Sequence, residues 1–307
     1  MFDIAVIIIN YNSSKLTQEC VESLLEKTAP ELHFQIIIVD NCSETNEYLP
    51  LKNYCDTHSF AHLQLIRSNI NTGFGGGNML GVHYSNAKYL AFINNDTLLL
   101  NDCLSILKAT LDANSSMGVV GGQSYRENGD RMVAFDHFAS IPKELFGRDF
   151  LEKTNPKKYP KRKSEYDKPL KVNYVQGSFL FIRTSDFYAV GGFDTNLFLY
   201  YEETDLCKRL EKIHKSCFLI PEAHYIHYHG ASTPQNIQIK TELKISLLYI
   251  IRKHYGYFAF LFLLNYLRVN YLFSSIFKPK YRYLLKVLIA GAPLSKSLKL
   301  KQKINEI

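Results

Sequence analysis

The chain opens with an apolar, β-branched run at residues 4–10 and repeats the pattern at Phe34–Asp40. Continuous runs of this kind, closed by Asn or Asp, predict strands buried on both faces. Between them Leu16, Cys20, Val21, Leu24 and Leu25 recur at helical spacing, with Asn12, Ser13 or Ser14 available as the N-cap. Shorter runs at 63–66, 89–94 and 117–120 predict further strands, and helical patterns at 77–85 and 102–111 separate them. This alternation predicts an α/β fold built on an open, mostly parallel sheet with helices on both faces. Ligands bind such sheets beyond the carboxyl ends of the strands. The residues to follow are therefore Asn10-Tyr11-Asn12, Asp40-Asn41 and Asn94-Asn95-Asp96.

The rhythm breaks at 143–171, where ten Lys or Arg are interspersed with Pro156, Pro160 and Pro169. That stretch reads as a surface loop, either merely solvated or meeting an anionic substrate. A strand-like segment at 172–183 follows, then Gly191-Gly192-Phe193-Asp194 and Tyr201-Glu202-Glu203-Thr204-Asp205. From about residue 245 the composition shifts to Tyr, Phe, Leu, Lys and Arg, which divides the chain into an α/β domain at 1–244 and a helical extension at 245–307.

At 46% hydrophobic and 21% charged residues, the 307-residue chain is neither disordered nor collagenous. Its six cysteines are scattered without a Cys-x-x-Cys pair, against a disulfide framework or zinc cluster and in favour of a reducing cytosol. The net charge of +7 hides an asymmetry: residues 240–307 carry 13 Lys and Arg against 2 Asp and Glu. A tail that only capped the core would leave those cations without partners, whereas an anionic membrane surface would supply them. The aliphatic residues interleaved with them argue against nucleic acid. No apolar run approaches the ~20 residues that span a bilayer, because Asn265, Arg268 and Asn270 interrupt the tail. The extension is thus expected to lie on a membrane surface, with a packed helical cap as the alternative.

Four groups of residues could carry chemistry. Asn94-Asn95-Asp96 ends an apolar strand with one carboxylate, which suits a divalent cation shared with a diphosphate or, more simply, a turn. Asn71-Thr72-Gly73-Phe74-Gly75-Gly76-Gly77-Asn78 precedes a helical pattern, as a phosphate-approaching loop or a flexible turn would. Glu202, Glu203 and Asp205 begin a helix behind Phe193, Phe198, Tyr200 and Tyr201, so one of them is either a desolvated general base or a helix-end carboxylate. His224, His227 and His229 lie in a strand-like run as structural histidines or metal ligands, with His227 and His229 on one face.

Taken in order, these motifs resemble glycosyltransferase family 2, most closely its bacterial rhamnosyltransferase-like branch. The resemblance starts at Val6-Ile7-Ile8-Ile9-Asn10-Tyr11-Asn12 and Ile38-Val39-Asp40-Asn41-Cys42-Ser43 and passes through the glycine turn and Asn94-Asn95-Asp96-Thr97. It ends with Gly191-Gly192-Phe193-Asp194, Tyr201-Glu202-Glu203-Thr204-Asp205-Leu206 and His227-Tyr228-His229-Gly230-Ala231-Ser232, and covers about residues 3–235.

The resemblance implies a GT-A-type, Rossmann-like fold and an inverting transferase that uses Mg²⁺ or Mn²⁺. The implied donor is dTDP-rhamnose or a UDP-sugar, and the implied acceptor a saccharide, lipid-linked, of a bacterial surface polysaccharide. Asp40 would read the nucleotide base beside Asn10 and Asn12. Gly73, Gly75, Gly76 and Asn78 would close over the nucleoside, next to Asn94 and Asn95. Asp96 and His227 would hold the metal, with His229 as a second choice, and Glu203 or its neighbour Glu202 would be the base. The chain departs from the family's Asp-x-Asp metal motif at Asn94, which removes one charged ligand. That departure gives a catalytically inactive sugar-nucleotide-binding or scaffold protein its foothold as an alternative. A nucleotidyltransferase would need a different glycine-rich signature near the N-terminus.

Overall fold

In the computed structural model, described over residues 1–228 and 236–304, the first half builds strands and helices in turn. These are β1 (Phe2–Asn10), α1 (Ser14–Lys27), β2 (Phe34–Asp40), α2 (Thr45–Thr57), β3 (Leu63–Arg67), α3 (Gly73–His83) and β4 (Ala87–Asn94). Next come β5 (Thr97–Leu99), α4 (Cys103–Ala113), β6 (Met117–Tyr125), β7 (Phe135–Asp136), α5 (Ile141–Phe146) and α6 (Arg148–Thr154). The second half adds β8 (Leu170–Val172), β9 (Tyr174–Val175), β10 (Phe179–Arg183), α7 (Thr184–Ala189), α8 (Glu202–Lys212) and β11 (Ser216–His227). Two further helices, α9 (Ile237–Phe277) and α10 (Arg282–Ile289), form the extension.

The main sheet runs β3-β2-β1-β4-β10-β6-β11-β5, with β8 added to β11. β1 to β4 are mutually parallel, β10 is antiparallel to β4 and β6, and β5 and β8 are antiparallel to β11. The sheet is mostly parallel but mixed. Register places Asn10 opposite Asp40 and Ile9 opposite Asn94, so three polar strand ends share one edge.

Side chains alternate across β1. Ile4, Val6 and Ile8 pack with Cys20, Val21, Leu24 and Leu107 on one face, and Ala5 and Ile7 with Val82, Phe187 and Leu206 on the other. Each such buried aliphatic side chain contributes about 1.5–3 kcal/mol. α3 lies unusually close to this second face, because a Cβ on Gly81 would stand 2.5 Å from Ile7 Cγ2.

Several expectations are corrected here. α2 had no sequence sign, since Pro50 lies inside it and only Leu51 is buried. It nonetheless caps its neighbour, as Glu47 Oε2 accepts from the Ser14 amide at 3.0 Å and hydroxyl at 2.8 Å. The strand-like segment at 172–183 is broken into β8, β9 and β10. The basic stretch from residue 143 is not a plain solvated loop. It begins with α5 and α6, and Lys143, Arg148 and Arg162 converge on Asp136 at 3.3, 2.6 and 3.6 Å.

The compositional shift at residue 245 falls inside α9, which starts at Ile237 and bends at Gly256, where φ is 88°. Before the bend, Ile245, Leu248 and Ile251 are buried with Ala139 and Leu197; after it, Leu263, Leu264 and Leu267 pack on Leu284, Val287 and Leu288 of α10. The tail's cations are not uniformly without partners. Lys253 Nζ lies 2.6 Å from Asp194 and 2.8 Å from Asp205, and Lys244 lies 3.7 Å from Glu144. By length and composition α9 could cross a membrane, contrary to the sequence expectation. Arg268 within it nevertheless donates to the Leu288 and Ile289 carbonyl oxygens at 2.9 Å each, tying it to α10.

Candidate active site

A cavity of about 220 Å³ opens at the polar sheet edge, lined by Ile9, Tyr11, Ser13, Asn41, Asn71, Gly73, Phe74, Asn94, Asn95, Phe198, Leu199 and Ile239. Beneath it runs a buried hydrogen-bond chain. Asn10 Nδ2 donates to Asp40 Oδ1 at 2.8 Å, and Asn10 Oδ1 accepts from Thr17 Oγ1 at 2.8 Å. Asn95 Nδ2 donates to Thr17 Oγ1 at 2.9 Å and Ser13 Oγ at 2.7 Å. Asp40 Oδ2 takes the Ser43 amide at 3.2 Å. Asn10 and Asp40 are fully buried and hold the cavity floor. Asn12, with φ 51°, is exposed at the rim, where its Oδ1 accepts from the Glu44 amide.

The glycine segment is the first turns of α3, not a loop ahead of the helix. Its geometry depends on Gly73, whose φ is +75° and whose added Cβ would stand 2.0 Å from the Phe198 carbonyl oxygen. Asn41 pins this turn: its Nδ2 donates to Asn71 Oδ1 at 3.0 Å and the Gly73 carbonyl at 3.1 Å, and its Oδ1 accepts from the Thr72 amide at 3.0 Å. An added Cβ on Gly75 would make ordinary contact with Glu202 Cγ at 3.5 Å, whereas one on Gly76 would stand 2.7 Å from Thr72 Cβ. Asn78 is buried and donates to the Phe74 carbonyl at 3.0 Å.

The carboxylates sit at the start of α8, after Tyr200 and Tyr201, both left-handed with φ 73°. Left-handed non-glycine residues cost of order 1–2 kcal/mol each and persist where packing over-determines them. Here Ser246 of α9 holds the Leu199 carbonyl at 2.9 Å. Glu202 is buried, and its Oε1 has no hydrogen-bond partner among the described residues. Burial first, and the Glu203 charge second, push its carboxyl well above the usual range. Burial also pushes Glu203 up, to about 7, with the nearby Asp136 charge adding to it and Lys143 opposing it. A Cβ on Gly177 would lie 3.8 Å from the Glu203 carboxylate and 3.7 Å from the Phe74 ring, but Glu203 itself does not line the cavity, and neither do Glu202, Asp96 or His227. Burial would also raise Asp205, but His254, Arg209 and Lys253 outweigh it and hold that carboxyl at about 2. Asp205 is a structural anchor.

β11 runs antiparallel to β5 with His227 opposite Thr97, which brings His227 Nε2 within 3.2 Å of Asp96 Oδ1, both side chains nearly buried. His224 is elsewhere, its ring against Tyr125 beyond a bulge in β11. His229 lies outside the described residues. Among the described residues no group of three His, Cys, Asp or Glu forms a metal cluster. Asp96 and His227 are the two side chains here that could contribute to holding a metal.

Of the residues singled out from sequence, Gly73, Asn94 and Asn95 line the cavity, while Asn10, Asp40 and Asn78 support it from behind. Sequence reasoning gave Asn41 no role beyond ending a strand and passed over Ile239. Ile239 belongs to the extension, and no local pattern connects it with the sheet edge.

Residues 5–187 match the family model described as Glycosyl transferase family 2. The chain is 28% identical over 262 residues to rhamnosyltransferase WbbL of Escherichia coli (strain K12), covering 81% of this chain and 92% of that one. Over 88 residues it is 32% identical to the N-acetylglucosaminyl-diphospho-decaprenol L-rhamnosyltransferase of Mycobacterium tuberculosis, covering 28% of this chain and 29% of that one. The mannosyltransferase PcManGT from Pyrobaculum calidifontis, solved with GDP-Man and Mn²⁺, superposes with a TM-score of 0.58 at 11% identity, over 96% of this chain and 89% of that one. TarS 1-349 of S. aureus gives a TM-score of 0.54 at 16% identity, over 81% of this chain and 65% of that one. The structural likenesses establish the GT-A-type fold with its helical extension. The chain belongs to glycosyltransferase family 2.

Proposed function

We propose that this chain is an inverting glycosyltransferase of bacterial surface polysaccharide synthesis. It moves a sugar from dTDP-rhamnose or a UDP-sugar to a lipid-linked saccharide at the inner face of the cell membrane. The names of the Escherichia coli and Mycobacterium relatives support a rhamnosyl donor and a lipid diphosphate acceptor. The observation that carries the reading is the carboxyl of Glu203, pushed up to about 7 at the start of α8, just after the Phe198 and Leu199 that line the cavity.

The nucleoside lies against Tyr11, Asn41 and the Gly73 turn, and Asn94 and Asn95 turn the diphosphate towards Asp96 and His227. Those two side chains would hold a divalent cation, Mg²⁺ or Mn²⁺, which supplies Lewis-acid stabilisation of the leaving diphosphate. Glu203 accepts the proton of the attacking acceptor hydroxyl. Burial pushes the Glu202 carboxyl well above its ordinary range, which supports Glu203 rather than its neighbour as the base. One displacement with one base inverts the anomeric carbon and needs no carboxylate nucleophile.

α9 supports the membrane part of the reading. Phe258, Phe262, Phe273, Ile276 and Phe277 are exposed along it, and Lys278, Lys280, Arg282 and Lys286 follow. Aromatic surface bordered by cations fits an anionic bilayer face. Incubating the full chain with a panel of nucleotide-sugars and a diphospholipid saccharide, with product configuration read by NMR, tests the proposal. Transfer with inverted configuration supports it, and donor binding without transfer would favour the inactive scaffold for which Asn94 speaks.

A further inference from the structure

Two cavities flank Lys240 at the root of the extension. One, of about 570 Å³, includes Tyr200, Ile239, Lys240, Lys280 and Tyr281 in its lining. The other, of about 500 Å³, includes Glu144, Lys240, Lys244, Lys278 and Tyr281. They share Lys240 and Tyr281, and the first shares Ile239 with the donor cavity. The three cavities thus adjoin one another along the start of α9, at Ile239 and Lys240.

The chemistry around these cavities is uneven. Glu144 lies 3.7 Å from Lys244 and partly neutralises it. Lys240 donates to Tyr281 Oη at 3.1 Å and stands over the Tyr281 and Tyr271 rings at 4.5 and 5.6 Å. Among the described residues no carboxylate lies within ion-pair distance of Lys240, Lys278 or Lys280. The Lys240 contact pulls the Tyr281 phenol below its ordinary pKa, as expected beside uncompensated cations. At the outer rim Phe277 lines the cavity although it is 81% exposed, so hydrocarbon-compatible surface begins where the cations end.

We infer that the two cavities around Lys240 form a phosphate subsite for a phosphorylated lipid, with Lys240, Lys278 and Lys280 as its cations. The lipid chain would leave over Phe277 along α9, and a sugar on the phosphate would extend past Ile239 towards the donor cavity. The lipid is then the carrier of the acceptor, an assignment that rests on the transferase reading above. The phosphate subsite itself does not.

Calorimetric titration of the full chain with farnesyl diphosphate, with farnesol as the uncharged control, tests the inference without any donor. Lys240→Gln/Lys280→Gln should weaken farnesyl diphosphate binding by about tenfold or more, because it removes two charge-assisted contacts. Lys52→Gln/Lys88→Gln, remote from these cavities, should not. Lys278→Glu/Lys280→Glu, at two exposed positions, makes the same demand without disturbing the interior. Vesicles of phosphatidylcholine with and without phosphatidylglycerol separate the two sources of phosphate. A loss confined to phosphatidylglycerol vesicles would give the subsite to a bilayer headgroup and remove the acceptor assignment. Unchanged binding of both probes by both variants overturns the subsite. Probe binding by a chain that transfers no sugar would leave the subsite standing and defeat the transferase reading alone.

Discussion

The Lys253 ammonium stands 2.8 Å from Oδ1 of Asp205, joining the C-terminal extension to the helix that begins with Glu202 and Glu203. His254 Nε2 shares the same oxygen at 2.7 Å, and Arg209 reaches Oδ2 at 2.8 Å. The extension is thereby part of the frame that places the candidate base.

Asp205→Ala should cost about 1.5–3 kcal/mol, because it removes the buried carboxylate that accepts from Arg209, Lys253 and His254. Thermal unfolding would show it as a lowered Tm. The folded Asp205 carboxyl titrates at about 2, below its ordinary 3.8, so its contribution is complete above 3.8 and is lost as pH falls from 3.8 towards 2. Urea midpoints across that window should fall more steeply for wild type than for Asp205→Asn.

Gly73→Ala should damage both fold and donor site. The substituted residue would have to hold φ +75° with its Cβ 2.0 Å from a backbone oxygen. A loss of about 1–3 kcal/mol from strain is expected, with a larger loss of nucleotide affinity because the turn pinned by Asn41 must move. Equilibrium unfolding and nucleotide titration separate the two.

Transfer should depend on pH through Glu203. A base must be deprotonated to act, so the rate should rise as pH passes through about 7 and level off above it. Stability runs the other way. The folded carboxyl binds its proton more tightly than its ordinary 4.5 allows, so this group's contribution declines as pH rises from 4.5 to 7. A pH–rate profile of kcat measures the first, and unfolding midpoints the second.

Asp96→Ala should abolish transfer and weaken donor binding, and His227→Ala should do so less severely, because it keeps the carboxylate. Full wild-type activity in excess chelator would remove the metal from the account. Isothermal titration of Mn²⁺ with and without nucleoside diphosphate should show tighter binding with it, since Asp96 and His227 supply only part of a coordination shell.

The alternating strands and helices of the first half were legible because each strand is buried on both faces and ends in a polar residue. The edge formed by Asn10, Asp40 and Asn94 followed from that, since parallel strands in register bring their ends together. What escaped was set by distant contacts. α2 carries Pro50 and buries little. The basic stretch after residue 143 looked solvated because Asp136, the acid that gathers Lys143, Arg148 and Arg162, lies outside it. The tail looked like a separate charged piece because Asp194 and Asp205, which hold Lys253, read as parts of other motifs. Glu202 and Glu203 could not be told apart from their spacing; the fold buries Glu202 and leaves Glu203 partly exposed.

Glu203→Gln is the most direct test of the central claim. The amide keeps the size and shape of the side chain but cannot take a proton. Transfer by this variant should fall by about 10²–10⁴ in kcat, while the dissociation constant for the nucleotide-sugar stays near that of wild type. Wild-type turnover by Glu203→Gln, in a preparation that binds donor normally, would contradict the assignment of Glu203 as the base.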